Sequence, residues 1–252
     1  MRIFHFFVLF FLISVFILTG TYLRDTIRLA DSSVVNNKTI FVGPRLFDQY
    51  TIQSLGKRPF FGSDFRIEKT LSDNLTYASY LFSFKTSLKK VTGLMNVPKG
   101  SGSFPVVFMI RGYVDRQKYV TGTGTQRAGE VFADKGYLTL APDFLGYGGS
   151  DNPSIEPLEE RFQTYTNLLD LYGLIVRLPE SNQSTPGVAI DSSRIHIWAH
   201  SNGGQIALTF LEITGVSAPT VLWAPVSKPF PYSILYFTDD SDDHGKALRK
   251  VV

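Results

Sequence analysis

Apolar runs and amphipathic segments alternate along the chain from about residue 104 onward. The apolar runs are FPVVFMIRGY (104–113), YLTLAPDF (137–144), RIHIWAH (194–200) and PTVLWAP (219–225). The segments with helical spacing between them are 126–136, 157–178 and 202–215. Continuous apolar runs of this length are typical of strands covered on both faces. Strand and helix therefore alternate, which predicts an α/β fold with a doubly wound, mostly parallel sheet.

The segment before this alternation has a different pattern. Residues 76–100 contain two alternating runs on either side of a short polar turn, which predicts a hairpin of strands. In the region 25–73, Asp, Ser, Asn, Gly and Pro interrupt the apolar runs, and we interpret it as a linker or accessory region. The main domain is then expected to cover residues 74–252.

The first 24 residues are a candidate signal peptide or membrane anchor. Arg2 precedes an apolar stretch from Phe6 to Leu18 with Ser14 as its polar interruption. This length suits the core of a signal peptide, and the wider run from Ile3 to Tyr22 nearly reaches the ~20 residues that span a bilayer. We therefore expect a membrane-anchored or secreted protein whose domain is extracytoplasmic. Membrane contact is expected through this segment alone.

Composition excludes several classes of site. The chain has no cysteine, so a disulfide, a thiolate zinc site and a thiol nucleophile are excluded. The net charge is +3 and the basic residues are scattered, which argues against nucleic-acid binding. We expect no metal and no cofactor. The pattern makes no prediction about the oligomeric state.

Ser201 is the candidate nucleophile. It stands between the predicted strand 194–200 and the predicted helix 202–215, in the sequence AHSNGG. A serine at such a junction needs a tight, strained turn, with small residues two positions before and after it. Ala199 and Gly203 occupy those positions, so the segment matches the G-x-S-x-G elbow with alanine in the first slot. The alternative is a simple N-cap serine, which is common before helices.

A second segment predicts an oxyanion hole. The strand beginning at residue 104 ends in RGYVD, where the elbow architecture has half of its oxyanion site. The backbone amides of Tyr113 and Asn202 would then bind the tetrahedral oxygen. The alternative is a glycine that only ends a strand. The glycine-rich segment 143–151 lacks the Gly-Lys-Ser/Thr of a phosphate loop, and we interpret it as a tight loop beside the site.

These motifs together resemble a known family. RGYVDRQKYVTGTGTQRAGEVFADKGYLTLAPDFLGYGGSD (111–151) and DSSRIHIWAHSNGG (191–204) are similar to the catalytic domain of the prolyl oligopeptidase family of α/β-hydrolases and its dienelactone-hydrolase-like relatives. The resemblance runs from about Tyr77 to Tyr236. It implies Ser201 as nucleophile, the Tyr113 and Asn202 amides as oxyanion hole, and hydrolysis of ester, amide or peptide bonds without a metal or cofactor.

The acid and base of a triad are expected after the nucleophile, in the order Ser, Asp or Glu, His. The candidates after Ser201 are His244 and the aspartates at positions 239, 240, 242 and 243. A base and its acid sit on loops after two different strands, and no strand separates this cluster from His244. We therefore expect both partners beyond residue 252, with the last strands and helices of the fold, and little or no activity from this chain. The cluster could also form a metal loop, but a solvated acidic turn fits its spacing better.

Three other histidines are poor candidates for the base. His5 lies in the apolar leader, His196 on a strand, and His200 directly before the nucleophile. Two functions remain open on the sequence: a serine hydrolase acting on a small-molecule or peptide substrate, and a non-catalytic binding protein on a hydrolase fold. A purely structural membrane module would not explain the small residues around Ser201.

Overall fold

The structure is a computed structural model and describes residues 47–87, 89–177 and 188–227. Its helices are α1 (Ile52–Lys57), α2 (Gln126–Asp134), α3 (Pro157–Arg177) and α4 (Asn202–Thr214), with short 3-10 turns at Asp48–Tyr50 and Arg116–Lys118. Its strands are β1 (Ser63–Asp73), β2 (Tyr77–Thr86), β3 (Lys89–Pro98), β4 (Phe104–Ile110), β5 (Leu138–Pro142), β6 (Ile190–His200) and β7 (Thr220–Trp223).

The strands form one seven-stranded sheet in the order β1-β2-β3-β5-β4-β6-β7. The pairs β5–β4, β4–β6 and β6–β7 are parallel, whereas β1–β2, β2–β3 and β3–β5 are antiparallel. Most of the strands in the described ranges therefore run in one direction. The predicted α/β class with a mostly parallel sheet is confirmed.

Apolar side chains cover both faces of the sheet. One face packs against α1, α3 and α4, and its largest fully buried residues include Phe82, Phe108 and Phe210. The other face carries a smaller cluster around Met109 and Trp198, against which α2 packs. Burial on both faces explains why β4 and β5 are continuous apolar runs. Helices therefore cover both faces of the sheet, as the predicted doubly wound arrangement requires.

The chain reverses its direction of travel across the sheet beside β4. From β4 it moves to one neighbour, β5, and from β5 it crosses to the other neighbour, β6. In open α/β sheets such a switch point opens a crevice at the carboxyl ends of the strands. The carboxyl ends of β4 and β6 lead to Arg111 and Ser201. The topology therefore brings the two predicted halves of the site together.

One strand was not predicted from the sequence. β1 lies within the region 25–73 that was expected to be a linker or accessory region, and it pairs with β2 at the edge of the sheet. Most of its residues are exposed, and its pairing with β2 contains register shifts. Phe65 and Ile67 alternate and pack partly against the core, but the rest of the strand is exposed, so the alternation is too short to reveal a strand.

Several predictions fall outside the described ranges. The leader 1–24, the cluster at 239–243 and His244 all belong to this group. Across the ranges given above, no helix is long and apolar enough to cross a membrane.

Candidate active site

Ser201 occupies a strained turn between β6 and α4. Its backbone has φ 52° and ψ −120°, a combination that residues other than glycine rarely adopt. Three backbone hydrogen bonds hold it there. The Ser201 N–H donates to the Trp223 carbonyl over 3.1 Å, and the Ser201 carbonyl accepts from Gly204 N at 2.9 Å and Val226 N at 2.8 Å. The end of β7 and the segment after it therefore stabilise the turn.

The small residues around Ser201 are required by close packing. A Cβ on Gly203 would lie 2.2 Å from the carbonyl oxygen of Ile110 at the end of β4. On the other side, Ala199 is fully buried within β6. The first turn of α4 thus lies directly against the end of β4, and larger side chains at these positions would push the two apart. A plain N-cap does not require this arrangement, and the Ser201 side chain makes no cap hydrogen bond.

The end of β4 lies beside Ser201. A Cβ on Gly112 would lie 3.0 Å from the Cβ of Ser201. The Gly112 carbonyl accepts a hydrogen bond from Nη1 of Arg111 over 2.9 Å. In a trans peptide the C=O and N–H point in opposite directions, so this bond also orients the N–H of Tyr113. That N–H has no acceptor among the described residues. The Tyr113 side chain is 75% exposed.

Arg111 is a buried cation between aromatic rings. Its guanidinium carbon lies 4.0 Å from the ring centre of Tyr147 and 4.6 Å from that of Tyr119. Its Nη2 donates to the main-chain oxygen of Asp143 over 2.9 Å. Cation–π contacts of this kind stabilise a desolvated guanidinium. Arg111 therefore connects the Gly112 peptide to the loop after β5.

Asp143 is a fully buried carboxylate within the same loop. It accepts hydrogen bonds from the hydroxyls of Thr92 (2.6 Å), Tyr119 (2.6 Å) and Thr121 (2.8 Å). Burial raises the pKa of this carboxyl, although the three hydroxyls and the Arg111 charge oppose the shift. Burial and the Asp143 charge also raise the pKa of the Tyr119 phenol. The predicted glycine-rich loop 143–151 thus begins with a polar network that supports the candidate oxyanion strand.

Asn202 is the first residue of α4, so its backbone N–H has no partner within the helix. Its side-chain oxygen accepts a 2.6 Å hydrogen bond from Nη2 of Arg161 on α3. The same nitrogen lies 3.3 Å from Oε1 of Gln205, whose amide nitrogen donates to Tyr165. Both predicted oxyanion residues therefore lie beside Ser201 at the carboxyl edge of the sheet.

The two described histidines are held by aromatic rings. His196 packs edge-on against Tyr137, with ring centres 5.3 Å apart. His200 lies beside Trp223 at 5.0 Å, and its Nδ1 would be 3.3 Å from a Cβ on Gly112. Within the described ranges no histidine hydrogen-bonds to Ser201. The expected base and acid are not among the residues placed here.

Comparison with known proteins identifies the architecture. No protein-family model and no curated protein matches the sequence. Among solved structures the chain is similar to acetyl xylan esterase 1 from Thermoanaerobacterium sp. JW/SL YS485, with a TM-score of 0.56 and 15% identity over 81% of this chain and 70% of the esterase. Together with the strand order and the elbow at Ser201, this likeness decides the fold.

The chain has the α/β-hydrolase fold. Two further similar structures are the α/β hydrolase GrgF from Penicillium sp. sh18 and S-formylglutathione hydrolase from Agrobacterium tumefaciens. GrgF has a TM-score of 0.46 and 16% identity over 69% of this chain and 52% of GrgF. The S-formylglutathione hydrolase has a TM-score of 0.45 and 20% identity over 64% of this chain and 62% of that enzyme.

Several residues around the candidate site were not identified from the sequence. Arg111 lies directly before the predicted Gly112–Tyr113 segment, so its position in the sequence could have indicated that it belongs to the candidate site. Arg161 sits within an ordinary amphipathic helix, and nothing in its local sequence separates it from a surface cation. Asp143 follows a buried strand, where a carboxylate is unusual.

Proposed function

We propose that the chain is a serine hydrolase that cleaves ester, amide or peptide bonds by acyl transfer to Ser201. Within the α/β-hydrolase fold, we assign it to the prolyl oligopeptidase and dienelactone-hydrolase-like group on the motifs at 111–151 and 191–204. The conformation of Ser201 carries the proposal. A non-glycine residue with φ 52° and ψ −120° costs stability, and the surrounding hydrogen bonds maintain it. Such strain is common where a nucleophile must project above a sheet.

The neighbouring amides supply the second part of the mechanism. When Ser201 Oγ attacks a carbonyl carbon, the carbonyl oxygen takes up negative charge. The N–H groups of Tyr113 and Asn202 would donate to that oxygen, and the free amides at the start of α4 favour a negative charge there. Collapse of the tetrahedral intermediate expels the alcohol or amine and leaves an acyl-serine, which water then hydrolyses.

Proton transfer requires a base and an acid that follow the nucleophile in the chain. Without a base, the Ser201 hydroxyl stays protonated and is a weak nucleophile. His244 is the base candidate that the sequence contains after Ser201, and it lies outside the described residues. A form in which Ser201 has both partners should react fully, and a form that lacks them should react slowly.

The substrate proposed is a small-molecule ester, a small amide or a peptide. Esterases and peptidases share this machinery, and pocket walls decide between them. We further propose that residues 1–24 target the domain to the extracytoplasmic side of a membrane, as an anchor or a cleaved signal. Nucleic acid, metal and cofactor have no part in this proposal.

Covalent labelling with a fluorophosphonate tests the proposal. The full chain, a C-terminally extended form and their Ser201→Ala variants would be compared, with Ser193→Ala as a matched serine control. Ser193 is exposed on the same strand and bonds to Asp191, so its loss should leave labelling unchanged. Labelling of the extended form that disappears in Ser201→Ala supports the hydrolase. A folded extended form that does not label would favour a binding protein on the same fold.

A further inference from the structure

Arg161 is a cation in an unusual position. It lies on α3, and Nη2 of its guanidinium contacts the first turn of α4 through Asn202 and Gln205. The N-terminus of a helix carries partial positive charge, so a cation is electrostatically unfavourable there. The arrangement is therefore not explained by helix stabilisation. A local rule broken in this way often marks a functional position.

The side-chain partners of Arg161 are neutral groups, namely the amide oxygens of Asn202 and Gln205 and the phenol of Tyr165. None of the ion pairs among the described residues includes Arg161, although Glu159 and Glu160 are its neighbours in the chain. Its Nε is buried and has no hydrogen-bond partner in the same part of the chain. A half-buried guanidinium that pairs with amides and a phenol rather than with carboxylates keeps its positive charge uncompensated.

The contact with Asn202 is the shortest that Arg161 makes, at 2.6 Å. Charge-assisted hydrogen bonds of this length are stronger than neutral ones. Asn202 directly follows the strained Ser201, and its backbone N–H belongs to the Ser201–Asn202 peptide. The two backbone hydrogen bonds that the Ser201 carbonyl accepts already restrain this peptide. Fixing the Asn202 side chain adds a further restraint on its rotation, on which the direction of the N–H depends.

We propose that Arg161 is a positioning residue that acts through the Asn202 side chain to hold the Asn202 N–H toward the oxygen of the tetrahedral intermediate. This inference rests on the proposed hydrolase function. It assigns to α3 a role in catalysis that does not involve contact with substrate. The Gln205–Tyr165 hydrogen bond is a second contact between α3 and the first residues of α4.

The test measures fluorophosphonate labelling of the C-terminally extended chain over a range of probe concentrations, which separates the maximal rate from the probe affinity. Arg161→Met should lower the maximal rate about tenfold and leave the affinity unchanged. Removing an oxyanion donor outright costs about 10²–10³-fold, and a group that only orients the donor should cost less. Asn202→Ala should lower the rate by a similar factor, because it keeps the backbone N–H but loses the contact with Arg161.

The double variant decides whether Arg161 acts through Asn202. If it does, the maximal labelling rate of the double variant is about the same as that of each single variant. A double variant that loses the product of both factors would overturn the inference. Arg161→Lys keeps the charge and one donor to Asn202, so it should recover part of the rate.

Arg177→Met is the matched control. Arg177 lies on the same helix and donates to the carbonyls of Phe60 and Gly62, about 24 Å along the axis from Arg161 at 1.5 Å per residue. Its loss should not alter labelling. If the parent labels at Ser201 and both Arg161→Met and Asn202→Ala label at its rate, the inference alone is wrong. If the folded parent does not label, the proposed function fails and the inference fails with it.

Discussion

Gly203 lies so close to Ile110 that a Cβ at Gly203 would be 2.2 Å from the Ile110 carbonyl oxygen. This approach joins the start of α4 to the end of β4, and so brings the candidate nucleophile next to the candidate oxyanion strand. The obstacle is main chain, which cannot rotate away as a side chain can. The geometry of Ser201 therefore depends on having glycine, which has no Cβ, at position 203.

Gly203→Ala should destabilise the fold by about 3 kcal/mol, at the upper end of the usual cost of overpacking. Urea denaturation would measure the change. Gly215→Ala is the control. Gly215 caps the same helix with φ 63° and has open space around it, so the change there should cost about 1 kcal/mol from backbone strain alone. Equal losses at the two positions would contradict the close contact.

The strain at Ser201 predicts an inverted order of stability. Glycine tolerates φ 52° and alanine does not, so Ser201→Gly should be more stable than Ser201→Ala by about 1 kcal/mol. At a position without a positive φ, glycine is the less stable residue, and the pair Ser193→Gly and Ser193→Ala should show that normal order. Thermal or urea unfolding of the four variants measures both differences. The normal order at position 201 would exclude the strained turn.

Asp143 predicts a pH-dependent contribution to stability. Burial raises its pKa, so the folded state binds the proton more tightly than the unfolded state. Its contribution to the unfolding free energy is therefore greatest below the unfolded pKa, about 4, and declines as pH rises through the folded pKa. Asp143→Asn removes this decline, so the stability of the variant relative to the parent should increase with pH across that window.

Glu159 provides a control of opposite sign. Hydrogen bonds from Ser154 and Tyr50 lower the pKa of this carboxyl. Its contribution is present above the unfolded pKa and is lost as pH falls through the folded pKa. The stability of Glu159→Gln relative to the parent should therefore decrease as pH rises over that range. Urea titrations at several pH values distinguish the two slopes, and parallel slopes would rule out the assignment.

Asp170 on α3 anchors the segment before β1. It is fully buried and accepts hydrogen bonds from Arg58 (3.0 Å), the Phe61 amide (2.9 Å) and the Thr86 hydroxyl. Asp170→Ala leaves these donors unpaired and should cost about 3 kcal/mol in urea denaturation, as is typical of a broken buried pair. Asp73→Ala removes an exposed ion pair with Lys99 and should have a much smaller effect.

Local sequence was sufficient for the elements of the core. Strands β4 and β5 were predicted near their observed bounds, because residues buried on both faces of a sheet must be apolar. Helices α2 to α4 were predicted from their helical spacing. Burial also explains the missed strand. β1 is mostly exposed, and only Phe65 and Ile67 alternate against the core, so its sequence carries too short a period to predict a strand.

The sequence by itself determined the order of the elements and the identity of the candidate nucleophile. The small residues on either side of Ser201 are a local requirement of a tight turn, and a local pattern can encode it. The tertiary structure decided which distant groups surround that turn. Arg111 meets Asp143 across 32 positions of the chain, and Arg161 meets Asn202 across 41. Such contacts depend on the strand order and on how two helices pack. The hydrophobic pattern of a segment does not indicate which distant residue it will contact.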